Sequence, residues 1–436
     1  MSLRLTAPVV LPCDPTCSVL RDAVVDVDDS GRITHVGPRA GAPEHTGPVR
    51  ELTGILLPGL VNAHAHSPMT VLRGMGGDLP LVRWLQEIIW PAEATMVPRD
   101  VYDGMVLGSV EMLRAGVTTS AEMYFHAEEV ARAVLDTGAR VVIAPAVMDV
   151  PGFDWRAQLA GINAWIDADG VLSGPGDRVE LGYGPHSGYT LTPEALGEVA
   201  AESRARGALL QVHVAESLPE DVAQRESHGS VPLLLRKAGV FGGRVLTAHS
   251  VHLSDEDIAV YQEADASIAH CPGSNMKLAS GVFRMREVRE AGLRLGLGTD
   301  GPASNDDLDL WEDLRLAGML ARVSTLDSTV VKADDLLLMA TRGGADALHR
   351  TDIGALEPGR WGDVVHIAAD DPAFAAGLDV PDAQVLSTLV WAAGSRRVTD
   401  VWVAGAQVVE AGEPTRVDRH RAQAAAGAVT ARLLAR

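Results

Sequence analysis

Residues 57–67, LPGLVNAHAHS, join an apolar run to two histidines that are separated by one residue. Alternate side chains of a strand point to the same side, so His64 and His66 are expected to project together from a strand end. A hydrogen-bonded histidine pair at a protein surface would show the same motif. The motif alone leaves both interpretations open, and residues elsewhere in the chain are needed to distinguish them.

From residue 55 onward, short apolar runs alternate with longer amphipathic segments, which is the pattern of successive β-α units around a parallel sheet. Most of these runs are rich in Val, Ile, Leu and Ala, as expected of strands that are buried on both faces. The eight runs are 55–63, 117–122, 140–147, 179–185, 208–214, 244–249, 266–271 and 293–299. They predict an α/β fold, a closed (β/α)8 TIM barrel spanning residues 55–354.

The two terminal segments, 1–54 and 355–436, carry short runs of alternating polarity with glycine turns between them, such as AVVDVD and VTDVWVAG. This pattern indicates antiparallel strands. Neither segment is long enough to bury a stable core alone, so we expect both to combine into one small composite β-sandwich domain beside the barrel.

The chain is acidic, with a formal net charge of −21. Such a charge repels a phosphate backbone or an anionic membrane surface, so nucleic acid and membranes are not expected partners. The three cysteines are too few for a disulfide framework, and no long uncharged apolar stretch or signal-peptide pattern is present. We therefore expect a cytoplasmic protein.

Two further strand ends carry residues that can bind a metal ion. His213 ends the fifth run, and Asp300 follows the eighth in LGLGTDGPASND. The carboxyl ends of barrel strands meet at one rim, so these residues should converge with His64 and His66. Three imidazoles and a carboxylate suit zinc, or a similar divalent ion such as iron or manganese. Taken singly, His213 would also fit a core histidine and Asp300 a helix cap.

Proton transfer at such a site needs groups within hydrogen-bond reach of both water and substrate. His249 ends the sixth run, and Glu216 follows His213 by three residues in HVAES. We assign proton transfer to Asp300, His249 and Glu216, although Glu216 would also suit a helix N-terminus, where the macrodipole favours a carboxylate.

A second metal ion in a barrel of this kind usually needs a bridging group, often a carboxylated lysine at the end of the fourth strand. The three lysines, Lys237, Lys277 and Lys332, all lie elsewhere. A single metal ion is therefore expected.

Together these motifs resemble the amidohydrolase superfamily, and within it the 5'-methylthioadenosine/S-adenosylhomocysteine deaminase family. The resemblance extends over nearly the whole chain and also includes DLPLVRWLQEIIWPAE (78–93), EMLRAGVTT (111–119) and CPGSNMKLASG (271–281). The H-x-H pair is shared by many amidohydrolases, whereas the WPAE and SNMKLASG segments are more specific to this branch.

The resemblance implies one zinc ion held by His64, His66, His213 and Asp300. It also implies that Glu216 protonates the purine ring, that His249 steers the attacking hydroxide, and that the protein is a homo-oligomer. The substrate-binding residues that it implies are Glu93, as the ribose-hydroxyl acceptor, together with His186 and Trp90. The expected reaction converts an adenine nucleoside to its inosine analogue and ammonia.

One departure from the family pattern bears on the substrate. The family commonly places an arginine just after the third strand, where it can pair with the carboxylate of a homocysteine tail. This chain has no basic residue between Arg140 and Arg156. A neutral 5' substituent is therefore expected, as in 5'-methylthioadenosine, 5'-deoxyadenosine or adenosine, in preference to S-adenosylhomocysteine.

Two alternatives remain open. The first is hydrolysis of another N-heterocycle of guanine, pterin or triazine type, against which the presence of Glu93 argues, because a free base offers no ribose. The second is a metal-free scaffold relative, since a fold does not determine function. A scaffold relative is expected to have lost its ligands, and this chain retains them.

Overall fold

The computed structural model describes residues 2–150, 152 and 154–435. Within these residues eight parallel strands form the barrel: Leu60–Ala65, Val117–Glu122, Arg140–Ile143, Val179–Leu181, Leu209–Val214, Arg244–His249, Ser267–His270 and Arg294–Leu297. Single parallel bridges between Ala65 and Asp300 and between Tyr183 and Leu210 join the strand groups to one another. The predicted TIM-type α/β fold is confirmed.

The predicted first strand, 55–63, is wrong as a single element. Ile55–Pro58 pairs with Leu3–Val10 and with Val364–Ile367, outside the barrel, and the barrel strand begins at Leu60. The break falls at Pro58, which has no N–H to donate to a ladder, and at Gly59. A Cβ on Gly59 would lie 1.9 Å from the side chain of Thr118, so only glycine fits this crossing.

Two other predicted runs are also divided into two pieces each. Residues 140–147 form the strand Arg140–Ile143 and a short piece, Ala146–Val147, on either side of Pro145. Residues 179–185 form Val179–Leu181 and Gly184–Pro185. The two short pieces pair with each other and extend the barrel towards its carboxyl-end rim.

The two terminal segments combine in one sheet, whose nine strands are Leu3–Val10, Leu20–Val27, Ile33–Pro38, Val49–Glu51, Ile55–Pro58, Val364–Ile367, Val398–Val403, Ala406–Glu410 and Glu413–Pro414. Strands from both termini enclose a separate apolar core, in which Val27 and Ile33 meet Val364 and Trp402. The division at residues 54/55 and 354/355 stays a prediction, and Ile55–Pro58 lies in the terminal sheet.

Helices lie between the barrel strands or follow the last of them: Pro98–Arg114, Ala127–Thr137, Trp155–Asp169, Pro193–Arg206, Leu218–His228, Val231–Lys237, Asp255–Ala264, Met285–Glu290, Leu310–Thr325, Ala333–Met339 and Arg342–Ala347. Short helical turns lie at the mouth, at Ser67–Leu72, Leu81–Trp84, Leu85–Ile89, Trp90–Glu93 and Pro272–Lys277. Beyond the barrel lie the turns Pro372–Phe374, Leu389–Ala393 and Ser395–Arg397 and the helices Asp382–Thr388 and Arg419–Leu434.

None of the helices in the described ranges is long and apolar enough to cross a membrane.

A buried ion pair joins the barrel to the terminal sheet. Arg140, at the start of the third barrel strand, donates to both carboxylate oxygens of Asp363 at 3.0 and 3.1 Å. The side chains are 0% and 3% exposed. Asp363 also accepts the backbone N–H of Ala404, so one carboxylate links the barrel strand to the turn of the sheet.

Candidate metal centre and active site

His64 and His66 lie at the carboxyl end of the first barrel strand, and both face Asp300 across the barrel. Their Nε2 atoms are 3.5 and 3.2 Å from Oδ1 of Asp300. His66 donates from Nδ1 to the carbonyl of Met123 at 2.6 Å. Because a carbonyl can only accept, Nδ1 of His66 carries a proton and Nε2 is the nitrogen left to face the centre.

His213 is oriented in the same way from the fifth strand. Its Nδ1 donates to the backbone carbonyl of His186 at 2.7 Å, and its Nε2 lies 3.3 Å from Nε2 of His66. When both imidazoles are neutral, their Nε2 lone pairs are directed at each other. A cation between the two Nε2 atoms removes this repulsion. If His213 were only a core histidine, nothing would compensate for the opposed lone pairs.

Asp300 lies just after the eighth strand in the left-handed region, at φ 60°. Its Oδ2 accepts hydrogen bonds from the hydroxyls of Ser274 and Ser304 at 2.5 and 2.8 Å, which leaves Oδ1 for the histidines. Although burial by itself raises it, the neighbouring imidazoles of His64 and His66 hold the pKa of Asp300 well below its usual range. The carboxylate is thus charged and turned inward.

The four side chains fit a divalent metal ion. His64 is fully buried, and neither of its nitrogens has a hydrogen-bond partner among the described residues. Burial lowers the pKa of His64 to about 4, so its imidazole is neutral and free to bind a metal. Burial also lowers the pKa of His66, but Asp300 outweighs burial and raises it to about 9. The site therefore stabilises positive charge. A divalent metal ion carries that charge and can bind all four side chains at once, which a proton cannot do.

Glu216 and His249 lie beside these four residues. Oε1 of Glu216 is 3.9 Å from Nε2 of His249, and both side chains are buried. Potential ligand atoms of Glu216, His249 and Asp300 all lie within 4.8 Å of one another. Burial raises the pKa of Glu216, so this carboxyl group keeps its proton to a higher pH than an exposed glutamate does.

The structure does not support the helix-terminus interpretation of Glu216. The residue that caps the next helix is Ser217, whose hydroxyl accepts the N–H of Glu220. Glu216 lies one residue earlier, after Ala215 at a left-handed φ of 47°, and its carboxyl group is directed at His249.

A cavity opens from this cluster, with a volume of about 680 Å³ when its opening to solvent is included. Glu93, Trp90 and His186 line it together with His66, His213, Glu216, His249 and Asp300. The remaining wall is mainly apolar: Met69, Leu81, Trp84, Leu85, Ile89, Met123, Tyr124, Phe125, Ala146, Met148, Tyr189 and Leu278, with Ser304 beside Asp300. The structure thus brings all nine predicted site residues to one end of the barrel or to the wall of its cavity.

Glu93 is held by Tyr124, whose hydroxyl donates to Oε1 at 2.7 Å. Burial raises the pKa of Glu93 to about 7, against the opposing effects of Tyr124 and His66. His186 contacts the hydroxyls of Ser187 and Thr190 through Nδ1 at 3.1 and 3.2 Å. Burial lowers the pKa of His186 to about 3, so its ring is neutral.

Several residues that support this site were not predicted from the sequence. Tyr124 holds Glu93, and Ser274 and Asn275 contact Asp300 and His249. A signal was present for the last two, since the SNMKLASG segment stands out in the sequence. For Tyr124, in a short apolar run, no signal distinguishes it from a core residue.

The chain is similar to known proteins in both sequence and fold. Residues 55–408 match the amidohydrolase family. A protein of Pelotomaculum thermopropionicum named 5-methylthioadenosine/S-adenosylhomocysteine deaminase is 37% identical, over 100% of this chain and 99% of its own. A 5'-deoxyadenosine deaminase of Methanosarcina mazei is 38% identical, over 91% of this chain and 90% of its own.

The structure of a zinc-bound adenosine deaminase from Xanthomonas campestris superimposes with a TM-score of 0.91 at 33% identity and covers 100% of this chain and 99% of its own. The fold and the sequence match the same family over almost the entire chain. This protein belongs to the amidohydrolase family.

Proposed function

We propose that this protein is a hydrolytic deaminase that converts an adenine nucleoside to the corresponding inosine compound and ammonia. The observation that carries the proposal is that Glu216, suited to carry a proton, and Glu93, suited to accept a ribose hydroxyl, line one cavity with the metal-binding cluster. Relatives named as deaminases of adenosine and of 5'-modified adenosines support it.

One zinc ion would be held by His64, His66, His213 and Asp300, and iron or manganese would suit the same donors. When bound, the metal ion supplies Lewis-acid activation of water at neutral pH. The hydrogen bonds from Nδ1 of His66 and His213 to backbone carbonyls would orient both rings and increase their basicity.

The side chains around the cluster would carry the protons of the reaction. Glu216, with its raised pKa, donates to the purine nitrogen next to the amino-bearing carbon. His249 accepts a hydrogen bond from the attacking water, and Oδ1 of Asp300 takes its proton. That proton passes to the amino group, and the C–N bond breaks to release ammonia. The oxygen of the water stays on the ring as the carbonyl, and its second proton returns to Glu216.

Glu93, His186 and Trp90 would hold the nucleoside. An ionised Glu93 accepts hydrogen bonds from ribose hydroxyls, and Tyr124 fixes one of its oxygens. His186 would donate or accept through the ring nitrogen that does not face Ser187 and Thr190. Trp90 contributes to the apolar wall.

The cavity favours a neutral 5' substituent. Neither lysine nor arginine occurs among the described residues that line it, whereas Met148, Phe125 and Leu278 offer apolar surface. The carboxylate of a homocysteine tail would lose its hydration there without gaining a cationic partner. We therefore propose 5'-methylthioadenosine, 5'-deoxyadenosine or adenosine as the substrate.

Ammonia release by the zinc-loaded enzyme tests the proposal, with kcat/KM compared across adenosine, 5'-methylthioadenosine, 5'-deoxyadenosine, S-adenosylhomocysteine, adenine and guanine. We expect the neutral 5'-substituted nucleosides to be preferred. Preference for S-adenosylhomocysteine would refute the argument from the missing arginine. Turnover of free bases alone would refute the nucleoside role of Glu93, and inactivity on every purine would refute the deaminase assignment.

We also propose that the protein is a cytoplasmic homo-oligomer in purine salvage that binds small molecules and neither nucleic acid nor membranes. The net charge of −21 supports the last two points. Light scattering coupled to size-exclusion chromatography tests the oligomer, and a monomer at micromolar concentration would refute it.

A further inference from the structure

One short helix, Pro272–Lys277, contacts two sides of the candidate site at once. Ser274 donates to Oδ2 of Asp300, and Oδ1 of Asn275 lies 2.9 Å from Nδ1 of His249. Both side chains are almost completely buried. The helix therefore connects a metal-binding residue to a residue proposed to steer water.

Close packing fixes the position of this helix. The N–H of Gly273 donates to Oδ1 of Asp313 at 2.8 Å, and Asp313 also accepts from Nδ2 of Asn305 at 3.0 Å. A Cβ on Gly273 would lie 1.9 Å from Oδ1 of Asn305, so no other residue fits without displacing these groups. The helix cannot shift without disturbing this buried network.

The contact from Asn275 determines which nitrogen of His249 carries a proton. An amide oxygen only accepts, so Nδ1 of His249 donates to it. In a neutral imidazole the lone pair then lies on Nε2, the atom that faces Glu216 at 3.9 Å. The opposite tautomer would present an N–H to the cavity and could not accept from water.

The backbone conformation of His249 also indicates that surrounding contacts hold this residue in place. His249 has a left-handed φ of 68°, and Ser250 follows it at 51°, which is an unfavourable conformation for residues with a Cβ. Such a conformation persists only where the surroundings hold it, and it is commonly found at functional sites. The hydrogen bond to Asn275 is one of the contacts that hold the ring.

Stability alone does not favour an asparagine here. Its Nδ2 is buried, and no acceptor for it occurs among the described residues. An apolar side chain of similar size would leave no unpaired donor in the interior. The hydrogen bond that its Oδ1 accepts from Nδ1 of His249 explains why an asparagine is present.

We propose that Asn275 is a positioning residue that holds His249 in the Nδ1–H tautomer, so that Nε2 accepts a hydrogen bond from the attacking water. The inference rests on the proposed function of the site. Asn275 is assigned no contact with substrate or metal, and it acts through His249.

Three variants of zinc-loaded enzyme test it. Asn275→Leu removes the acceptor, Asn275→Asp keeps one, and Met276→Leu changes an exposed residue of the same helix as the control. For Asn275→Leu we expect kcat to fall about 10- to 100-fold, the range found for residues that orient ligands of metal sites, with KM and zinc content unchanged. We expect Asn275→Asp to restore most of that loss, and Met276→Leu to match the wild type.

The tautomer is read directly from ¹⁵N shifts of labelled histidine, with the His249 signals identified by their loss in His249→Gln. We expect protonation at Nδ1 in the wild type and in Asn275→Asp, and a mixture of tautomers in Asn275→Leu. Protonation at Nε2 in the wild type, or full kcat in Asn275→Leu, would overturn the proposal. The spectrum needs no substrate, so an inactive wild-type enzyme would refute the proposed function while the tautomer is still judged on its own.

Discussion

His66 and His213 approach each other through their Nε2 atoms, 3.3 Å apart, while the Nδ1 of each is held by a backbone carbonyl. Neither ring can turn away without breaking its carbonyl hydrogen bond. The pair is therefore preorganised for a shared cation, and a metal-free protein has to tolerate the opposed lone pairs or take up a proton.

Removal of the metal is expected to destabilise the protein. A ligand that binds the folded state alone stabilises it in proportion to the logarithm of its concentration over Kd. We predict about one divalent metal ion per chain by elemental analysis, a lower Tm after chelation, and recovery on adding zinc. His66→Ala should lose the metal, whereas the exposed His420→Ala should keep it. An unchanged Tm after complete removal of bound metal would contradict this.

Replacing Glu216 with glutamine is expected to reduce kcat by at least about 100-fold, since a neutral amide cannot donate and take back a proton. Metal content should not change, because Glu216 is not among the four proposed ligands. Glu226→Gln, on the neighbouring helix, is the matched control and should leave kcat unchanged. Normal turnover by Glu216→Gln would remove this residue from the mechanism.

The pKa of Glu93 gives a pH dependence. Burial raises this pKa to about 7, so the carboxylate that accepts ribose hydroxyls is present above pH 7 and is lost as pH falls through that value. We predict that kcat/KM for nucleosides falls about tenfold per pH unit below 7.

In Glu93→Gln this dependence should disappear, with KM raised at every pH. The exposed Glu87→Gln, on the same helical segment, should keep the wild-type profile. A Glu93→Gln variant with the same acidic limb as the wild type would show that another group titrates.

A basic residue placed after the third strand should change the substrate preference. Met148 lies in the segment that lacks the family's arginine, and it lines the cavity. We predict that Met148→Arg raises kcat/KM for S-adenosylhomocysteine relative to 5'-methylthioadenosine by about tenfold, the effect of about 1.4 kcal/mol from a new charge-assisted pair. Met148→Leu serves as the control. An unchanged ratio would place the 5' end of the substrate elsewhere in the cavity.

The buried pair of Arg140 and Asp363 should matter for stability. Asp363→Ala leaves the Arg140 guanidinium buried and unpaired, which costs about 3–5 kcal/mol. We predict a clear fall in the thermal unfolding midpoint, measured by calorimetry on metal-loaded protein. Glu87→Ala breaks the exposed pair with Arg83 and should leave the unfolding midpoint nearly unchanged. Equal effects of the two changes would contradict the argument.

Much of the site was predictable because its residues follow strand ends. His64, His213 and Asp300 each come directly after or within an apolar run, and the geometry of a barrel brings such positions to one rim. Glu93 and His186 were inferred only from the resemblance to a family, since a carboxylate in a short helix and a histidine in a loop carry no periodic signal.

The sequence by itself determined the barrel, the convergence of the four proposed metal ligands and the absence of a basic residue after the third strand. These features follow from local periodicity, order along the chain and residue type. The tertiary structure decided that Ile55–Pro58 joins the terminal sheet, since the break at Gly59 depends on contact with Thr118. It also decided that Asn275 meets His249, 26 positions away in the chain. Such contacts depend on side-chain packing between distant segments, which local hydrophobic patterns do not encode.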